Sequence, residues 1–145
     1  LNETKDFDYV IIDCPPAFST LTQAALSLAD LIISPVLEEP LSAWSVVAFR
    51  DFGMKQSLNA WRPELHRILF TRVSRRGANE ERIAIRNDLR TAGFEAFPVG
   101  IREASDAHRW AKRIAPDSTR SFSNKYGREK ANVEDLGKSV VDALK

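Results

Sequence analysis

An uninterrupted apolar run occupies residues 9–12, and it is followed by Asp13 and then by Pro15 and Pro16. Such a run predicts a strand over residues 8–16 that is buried on both faces, as in parallel sheets covered by helices. Asp13 would then emerge at the carboxyl edge of the sheet, where open α/β sheets bind ligands. A carboxylate there can hold magnesium, directly or through water, or it can cap the next helix. The prolines prevent immediate helix continuation.

The pattern after the prolines alternates between the periods of helices and strands. It predicts helices over residues 20–29, 42–58 and 79–92, and strands over residues 31–36, 67–73 and 94–99. Ser42 is expected to cap the second helix and Gly93 to end the third, while Trp44 is expected to pack in the core. This order predicts an α/β fold whose mostly parallel sheet has right-handed crossovers and helices on both faces.

The last third of the chain shows a different pattern. A short helix is predicted to about residue 114, then a long polar surface loop over residues 116–130, and a final helix over residues 133–144. No stronger boundary interrupts the chain, so residues 1–145 are expected to form a single domain or most of a larger one.

The composition narrows the class of protein. With 43% hydrophobic and 28% charged residues, the chain resembles soluble globular proteins, and no apolar stretch approaches the length of a membrane span. A cytoplasmic location is therefore expected. The single cysteine, Cys14, is predicted to be a buried residue at the strand exit, and the two histidines lack the spacing of zinc ligands.

The net charge of +1 conceals an asymmetry between the two halves of the chain. Residues 1–60 carry three basic and eight acidic side chains, whereas residues 61–145 carry 18 basic and 12 acidic ones. The second half therefore has a basic surface, which either faces phosphate groups of a nucleotide or of DNA or is simply solvated.

Four segments, taken in order, resemble the ParA/MinD family of deviant Walker-type ATPases. DYVIIDCPP is similar to the Walker B and switch II strand, and ADLIISPVLEEPLSAWSVV to the next strand and helix. RILFTRVSRRG is similar to the strand that approaches the adenine base, and FPVGIREASDAHRWA to the late segment that closes the base pocket. The resemblance implies a P-loop NTPase-like fold that uses ATP and Mg²⁺, with plasmid and chromosome partition proteins as the closest group.

The glycine-rich phosphate loop of that family has no counterpart in this sequence. In the family this loop lies upstream of the Walker B strand and supplies the amides and the lysine that neutralise the phosphates. The sequence is therefore expected to be the carboxyl-terminal part of such an ATPase, and this stretch alone is expected to bind ATP poorly and to hydrolyse it negligibly.

The resemblance also implies roles for individual residues. Asp13 would hold magnesium through a water molecule, and Pro15 and Pro16 would belong to the switch loop that senses the γ phosphate. The adenine side would be formed by Thr71, Arg72, Pro98, Ile101 and Arg102. Thr71 stands where many members carry Asn, and a hydroxyl cannot make the paired contact of an amide.

Relatives of this kind dimerise on ATP and hold DNA without reading its sequence, as phosphate contacts do. The resemblance therefore implies an ATP-dependent homodimer, a nucleoid-associated location and a ParB-like stimulator bound to the centromere. The candidate DNA-binding residues are Arg75, Arg76, Arg82, Arg86, Lys112 and Arg113.

Two other functions remain open from the sequence. A catalytically inactive remnant that binds a partner is favoured by the missing phosphate loop. A MinD-like membrane-associated ATPase would need a basic amphipathic terminal helix, but the last predicted helix carries Glu134, Asp135 and Asp142, which disfavour an anionic membrane surface. No stable membrane insertion is therefore expected.

Overall fold

The structure is a computed structural model that describes residues 7–15, 17–57, 65–74, 79–102 and 130–145. Within these ranges the elements are α1 (Thr20–Leu28), β1 (Ile32–Leu37), α2 (Pro40–Ser57), β2 (His66–Val73), α3 (Glu80–Thr91), β3 (Glu95–Ala96), β4 (Ile101–Arg102) and α4 (Lys130–Ala143). None of the described helices has the length and apolar character of a membrane span.

The sheet is parallel at every described pairing. β2 lies in the middle, with β1 on one side and both β3 and β4 on the other. The β1–β2 ladder runs from Ile32 opposite His66 to Leu37 opposite Thr71. This arrangement confirms the predicted α/β fold with a mostly parallel sheet.

The core lies between one face of the sheet and helices α2 and α3. Because side chains alternate along a strand, Val36 of β1 and Ile68 and Phe70 of β2 point to this face, where they are almost fully buried. The helices contribute the apolar residues Ala43, Val46, Ile85 and Leu89, and Phe94 completes the cluster. Beyond the other face, Ser139, Asp142 and Ala143 of α4 share a cavity of about 340 Å³ with Arg67.

The ends of the helices follow local chemistry. The hydroxyl of Ser19 accepts a hydrogen bond from the Thr22 backbone N–H and so caps α1, and the side chain of Asn79 caps α3 through Arg82 N–H. Gly93 follows α3 with a φ of 85°, a left-handed conformation that favours glycine, so the predicted helix stop is confirmed. Pro40 occupies the first position of α2, as proline often does, and the helix therefore begins earlier than the predicted Ser42 cap.

The prediction of a buried strand over residues 8–16 is wrong for the residues described there. Residues 9–15 have no strand structure, and their apolar side chains are exposed, Ile11 by 94%. A strand exists only where a neighbouring strand satisfies its backbone groups, and none of the described strands pairs with this segment. Cys14, predicted to be buried, is exposed for the same reason.

Three further predictions need correction. Trp44 is 71% exposed on α2 and is not a core residue. The strand predicted over residues 94–99 is shorter and consists of β3 alone, and a second short strand, β4, follows outside the predicted range; both pair with β2. The last helix begins at Lys130; the rest of the predicted 116–130 loop and the short helix before it lie outside the described residues.

His66 is a deeply buried histidine whose environment lowers the pKa of its imidazole. It is 2% exposed, and its Nε2 lies 2.7 Å from the Ser34 hydroxyl across the ladder. Burial, together with the positive charge of Arg50, lowers the pKa of His66 from 6.5 to about 4. His66 is therefore neutral in the folded chain at neutral pH.

The shift predicts an acid-sensitive stability. Because the folded pKa lies below the unfolded one, the unfolded chain binds more protons, and stability falls as the pH drops from about 6.5 towards 4. Between pH 7.5 and 5 this histidine alone should remove about 2 kcal/mol of unfolding free energy. Urea denaturation of wild type and His66→Gln at both pH values measures the difference; pH profiles that run parallel would contradict the assignment.

Candidate functional site

The carboxyl ends of the strands bring together most of the residues predicted to approach an adenine base. Parallel strands end at the same edge of a sheet, the edge at which open α/β sheets bind ligands. Thr71, near the end of β2, lies opposite Leu37 on one side and Ile101 on the other. Arg102 lies opposite Val73. Thr71, Arg72, Ile101 and Arg102 therefore occupy one continuous stretch of this edge.

The backbone is irregular where these residues meet. Arg72 has a φ of 54°, a left-handed conformation that is uncommon for residues with a side chain, and the register of β2 with β4 shifts between Thr71 and Val73. Left-handed non-glycine residues of this kind cost about 1–3 kcal/mol and cluster at functional sites. The irregularity supports a binding role for this edge.

Gly100 allows β4 to approach the irregular part of β2. A Cβ atom at Gly100 would lie 2.6 Å from Val73 Cγ2 and 3.1 Å from the Phe70 carbonyl oxygen. The first distance is much shorter than a van der Waals contact. The second is also short, and the Phe70 carbonyl oxygen belongs to the backbone of β2, so it cannot move aside as a side chain could. The position of Ile101 and Arg102 at the edge thus depends on the missing side chain at Gly100.

Thr71 keeps some capacity to bind a ligand. Its hydroxyl donates to the Val36 carbonyl at 3.5 Å, the long limit of a hydrogen bond, and the residue is half-buried. Pro98 is placed differently from the other predicted adenine-side residues. It lines the cavity between Arg67 and α4 rather than the stretch around Thr71.

Asp13 lies in the exposed segment before α1. The turn that follows is tied to that helix, because Ala17 N–H donates to the Pro15 carbonyl at 2.7 Å and the Thr22 hydroxyl donates to the Ala17 carbonyl at 2.7 Å. Pro16 itself lies outside the described residues. Within the described ranges no group of three or more His, Cys, Asp or Glu side chains could hold a metal ion, so a magnesium role for Asp13 stays a prediction.

Two of the predicted DNA-binding arginines contact an acid of the sheet edge. Glu38 follows β1, and its side chain is only 4% exposed. Arg86 donates through Nε to Glu38 Oε1 at 2.7 Å, and Arg82 Nε lies 4.0 Å from Oε2. The guanidinium of Arg86 also stacks on the Phe70 ring, 4.7 Å from its centroid. Arg86 therefore forms a hydrogen-bonded ion pair with Glu38, Arg82 lies at the long limit of an ion pair with it, and the three side chains together keep a net charge of +1.

Sequence reasoning missed the role of Glu38. Two signals were present, an acid directly after a buried strand and two arginines four residues apart on one helix face. What links them is the packing of α3 against the sheet, which no local pattern contains. Arg75, Arg76, Lys112 and Arg113, the other candidates for DNA binding, lie outside the described residues.

Comparison with known families adds one observation to this geometry. Residues 2–53 match the model of the AAA domain. The match covers a little over a third of the 145 residues, including Asp13, α1, β1 and most of α2. It supports a P-loop ATPase-like domain and, with it, nucleotide binding. The search of curated proteins found no match.

The residues of the edge fit part of a magnesium nucleotide. A half-buried apolar residue and a hydroxyl, Ile101 and Thr71, suit a base, and Arg72 and Arg102 carry charge opposite to that of phosphates. A carboxylate such as Asp13 is the ligand type that Mg²⁺ prefers. Asp13, however, lies in the segment before α1 and not on the edge, and the sequence carries no glycine-rich phosphate loop, so the fit of the edge covers the base side alone.

The lack of room for a side chain at Gly100 gives a prediction about stability, for which Gly137 is the control. Gly100→Ala should destabilise the fold by about 1–3 kcal/mol, because the new methyl group overlaps Val73 and the Phe70 carbonyl. Gly137→Ala, on α4 with nothing within 4 Å of its Cβ position, should instead stabilise by up to about 1 kcal/mol, as alanine does in helices. Chemical denaturation compares the two; equal effects would contradict the close approach of β4 to β2.

The Glu38 ion pair gives a second prediction. Arg86→Ala should lower the free energy of unfolding by about 1–3 kcal/mol, because it leaves the buried carboxylate of Glu38 with a weaker partner. The loss should be smaller than that for a fully buried ion pair, since Arg86 itself is partly exposed. Arg90→Ala is the matched control, since among the described residues the exposed Arg90 side chain hydrogen-bonds Asn87 alone, and it should change stability by less than about 0.5 kcal/mol. Urea denaturation at neutral pH measures both changes. An Arg86→Ala variant as stable as the wild type would contradict a stabilising role for the Glu38–Arg86 ion pair.

Proposed function

We propose that this chain works within a ParA-like ATPase that partitions plasmid or chromosomal DNA by ATP-dependent dimerisation and non-specific DNA binding. The observation that supports the proposal most is the carboxyl edge of the parallel sheet, where Thr71, Arg72, Ile101 and Arg102 converge. The AAA domain match over residues 2–53 supports the ATPase class of the same unit.

In this proposal Asp13 holds a water molecule of the bound magnesium, and the turn of Pro15 and Pro16 responds to the γ phosphate. ATP with magnesium supplies the phosphate whose presence this turn detects. The Thr22 hydroxyl fastens the turn to α1 through the Ala17 carbonyl. A displacement of the turn would therefore be passed to α1, which offers a route from nucleotide state to a partner surface.

The base side of the proposed site uses Thr71, Arg72, Ile101 and Arg102, with Pro98 at the neighbouring cavity. Ile101 supplies apolar contact, and the Thr71 hydroxyl can make one hydrogen bond with the base. The two arginines are close in the β2–β4 ladder and give this end of the sheet positive charge. The left-handed Arg72 lets the strand end turn where a ligand would lie.

DNA binding is assigned to basic residues in the second half of the chain. Arg82 and Arg86 lie against Glu38, whose single negative charge leaves the two arginines with a net positive charge, so both stay candidates for phosphate contacts. The other candidates are Arg75, Arg76, Lys112 and Arg113. The proposed partners are a second copy of the chain in the ATP state, non-specific DNA and a ParB-like stimulator. The proposed location is the cytoplasm, in association with the nucleoid.

A second candidate is a partner-binding module without catalysis. The sheet, its edge and the group of Glu38, Arg82 and Arg86 would then serve only to present a binding surface to a partner protein. The two candidates differ in ATP turnover, which the next experiment measures.

The test substitutes Asp13 by Asn in the full-length protein and measures ATP turnover with and without DNA. If Asp13 acts on the magnesium, the loss of its charge should lower kcat by roughly 100-fold or more. Asp30→Asn is the matched control, because Asp30 is an exposed acid just after α1, and its kcat should be unchanged.

The outcomes separate the two candidates. DNA-stimulated turnover that depends on Asp13 supports the ATPase. Turnover that Asp13→Asn leaves intact rejects the role of Asp13, and a complete lack of turnover and of ATP-induced dimers rejects the ATPase in favour of the partner-binding module.

A further inference from the structure

Phe18 differs from the rest of the exposed segment before α1. Among the described residues from 7 to 19 it alone is not exposed; its side chain is half-buried. Apolar residues earlier in this segment, such as Ile11 and Ile12, face solvent. Phe18 is therefore the side chain of the segment that packs most closely against the rest of the described chain.

The Phe18 ring packs against two rings of α2. Its centroid lies 4.7 Å from that of Phe52, with an interplanar angle of 86°, and 5.4 Å from that of Phe49, with an angle of 64°. Both contacts have the edge-to-face geometry that aromatic pairs prefer, which is favourable beyond the burial of apolar surface. Phe49 and Phe52 lie on the same side of α2, because residues three apart are neighbours on a helix surface. Phe18 is thus held by two side chains of one helix.

Phe49 connects this contact to the sheet. Its ring lies 6.3 Å from that of His66, with an interplanar angle of 79°, and His66 is buried at the start of β2. A cavity of about 320 Å³ lies beside Phe18 and Phe49, so Phe18 is held by its contacts with α2 and is not enclosed on every side. The loss of one of those contacts should therefore release it.

A local role in starting α1 does not account for Phe18. The residue before the N-cap of a helix often packs against the fourth residue of the same helix. Here the N-cap is Ser19, and the fourth helical residue is the polar Gln23. The cap is completed by Ser19 and the Thr22 backbone N–H. The contact of Phe18 is therefore a tertiary one with α2.

The reach of the segment allows Asp13 to approach the carboxyl edge of the sheet. Ser42 accepts a hydrogen bond from the Leu37 N–H at the end of β1, so it marks the level of that edge on α2. Phe49 follows Ser42 by seven residues, a rise of about 10 Å along the helix. The five residues from Asp13 to Phe18 span at most about 17 Å. Asp13 can therefore reach the edge while Phe18 stays on α2.

We propose that Phe18 is a positioning residue, whose packing on Phe49 and Phe52 anchors the segment that carries Asp13 and so presents the carboxylate to bound magnesium. The role of Asp13 rests on the proposed function, whereas the anchoring does not. Without the anchor the carboxylate would sample many positions. A misplacement of about 1 Å, even by a change far from the chemistry, can lower a rate about a hundredfold.

The mobility of a spin label on Cys14 tests the anchor in the nucleotide-free chain. Cys14 is the single cysteine of the sequence and is exposed next to Asp13, so a nitroxide reagent labels this position alone. Phe18→Ala should shift the electron paramagnetic resonance spectrum towards that of a mobile label. Leu21→Ala is the matched control, because Leu21 is an apolar residue of α1 that is 73% exposed, and its spectrum should equal that of the wild type.

Phe52→Ala tests the same contact from the other side. It removes the nearer of the two rings on α2, and it cannot act through the backbone of the segment that carries the label. Phe52 is 46% exposed, so the variant should fold even if Phe18→Ala does not, as circular dichroism checks. Its spectrum should also shift towards that of a mobile label.

A double-mutant cycle tests whether the anchor acts through Asp13. In the full-length protein Phe18→Ala should lower the kcat of ATP turnover by about 10- to 100-fold, and Leu21→Ala should leave it unchanged. In the Asp13→Asn background the same Phe18→Ala change should lower kcat by no more than about twofold, because the carboxylate that Phe18 positions is already gone.

Two results would overturn the proposal. One is a Cys14 label whose mobility neither Phe18→Ala nor Phe52→Ala changes. The other is a kcat that Phe18→Ala leaves unchanged, or lowers equally in the Asp13→Asn background. A protein without any ATP turnover would reject the proposed function and the positioning role with it, whereas the label would still show whether Phe18 anchors the segment. The two failures can therefore be told apart.

Discussion

β1 pairs with β2 in parallel, from Ile32 opposite His66 to Leu37 opposite Thr71. This pairing determines where the polar groups of the candidate site lie. Because both strands run in the same direction, the residues that follow them gather at one edge. The same register turns Val36, Ile68 and Phe70 to one face, where α2 and α3 bury them. Core and site are therefore consequences of a single ladder, and a shift by one residue would exchange its two faces.

Cations of the helices stabilise this arrangement at both ends of the core. Arg86 of α3 reaches over the Phe70 ring to the buried carboxylate of Glu38. Arg50 of α2 lies 4.3 Å from the centroid of the Phe94 ring and donates to the Ala92 carbonyl at the end of α3. Each arginine covers an aromatic ring with its guanidinium and satisfies an acceptor that would otherwise be costly. These two arginines thus help to hold α2 and α3 against the sheet.

The sequence predicted most of the fold because much of it is encoded locally. Helical periodicity and Gly93 predicted α3 almost to the residue, and β1 and β2 followed from short β-branched runs. Residues 9–12 have the same character, yet they form no strand, because strand formation depends on a neighbour as much as on the segment itself. Trp44 failed as a core prediction because α2 has apolar residues on two sides, and periodicity does not say which side meets the sheet. At the site, strand order placed Thr71 and Ile101 together, whereas Glu38 and the left-handed Arg72 depend on tertiary contacts.

The central claim is that the irregular edge formed by β2 and β4 holds the base of a nucleotide. The most direct measurement is photolabelling of the full-length protein with an azido-adenine ATP analogue and magnesium, followed by peptide mapping with excess ATP as competitor. The account predicts label on peptides that contain Thr71, Arg72, Ile101 or Arg102, and its loss when ATP competes. Competed label confined to other parts of the chain, such as α4, would contradict it.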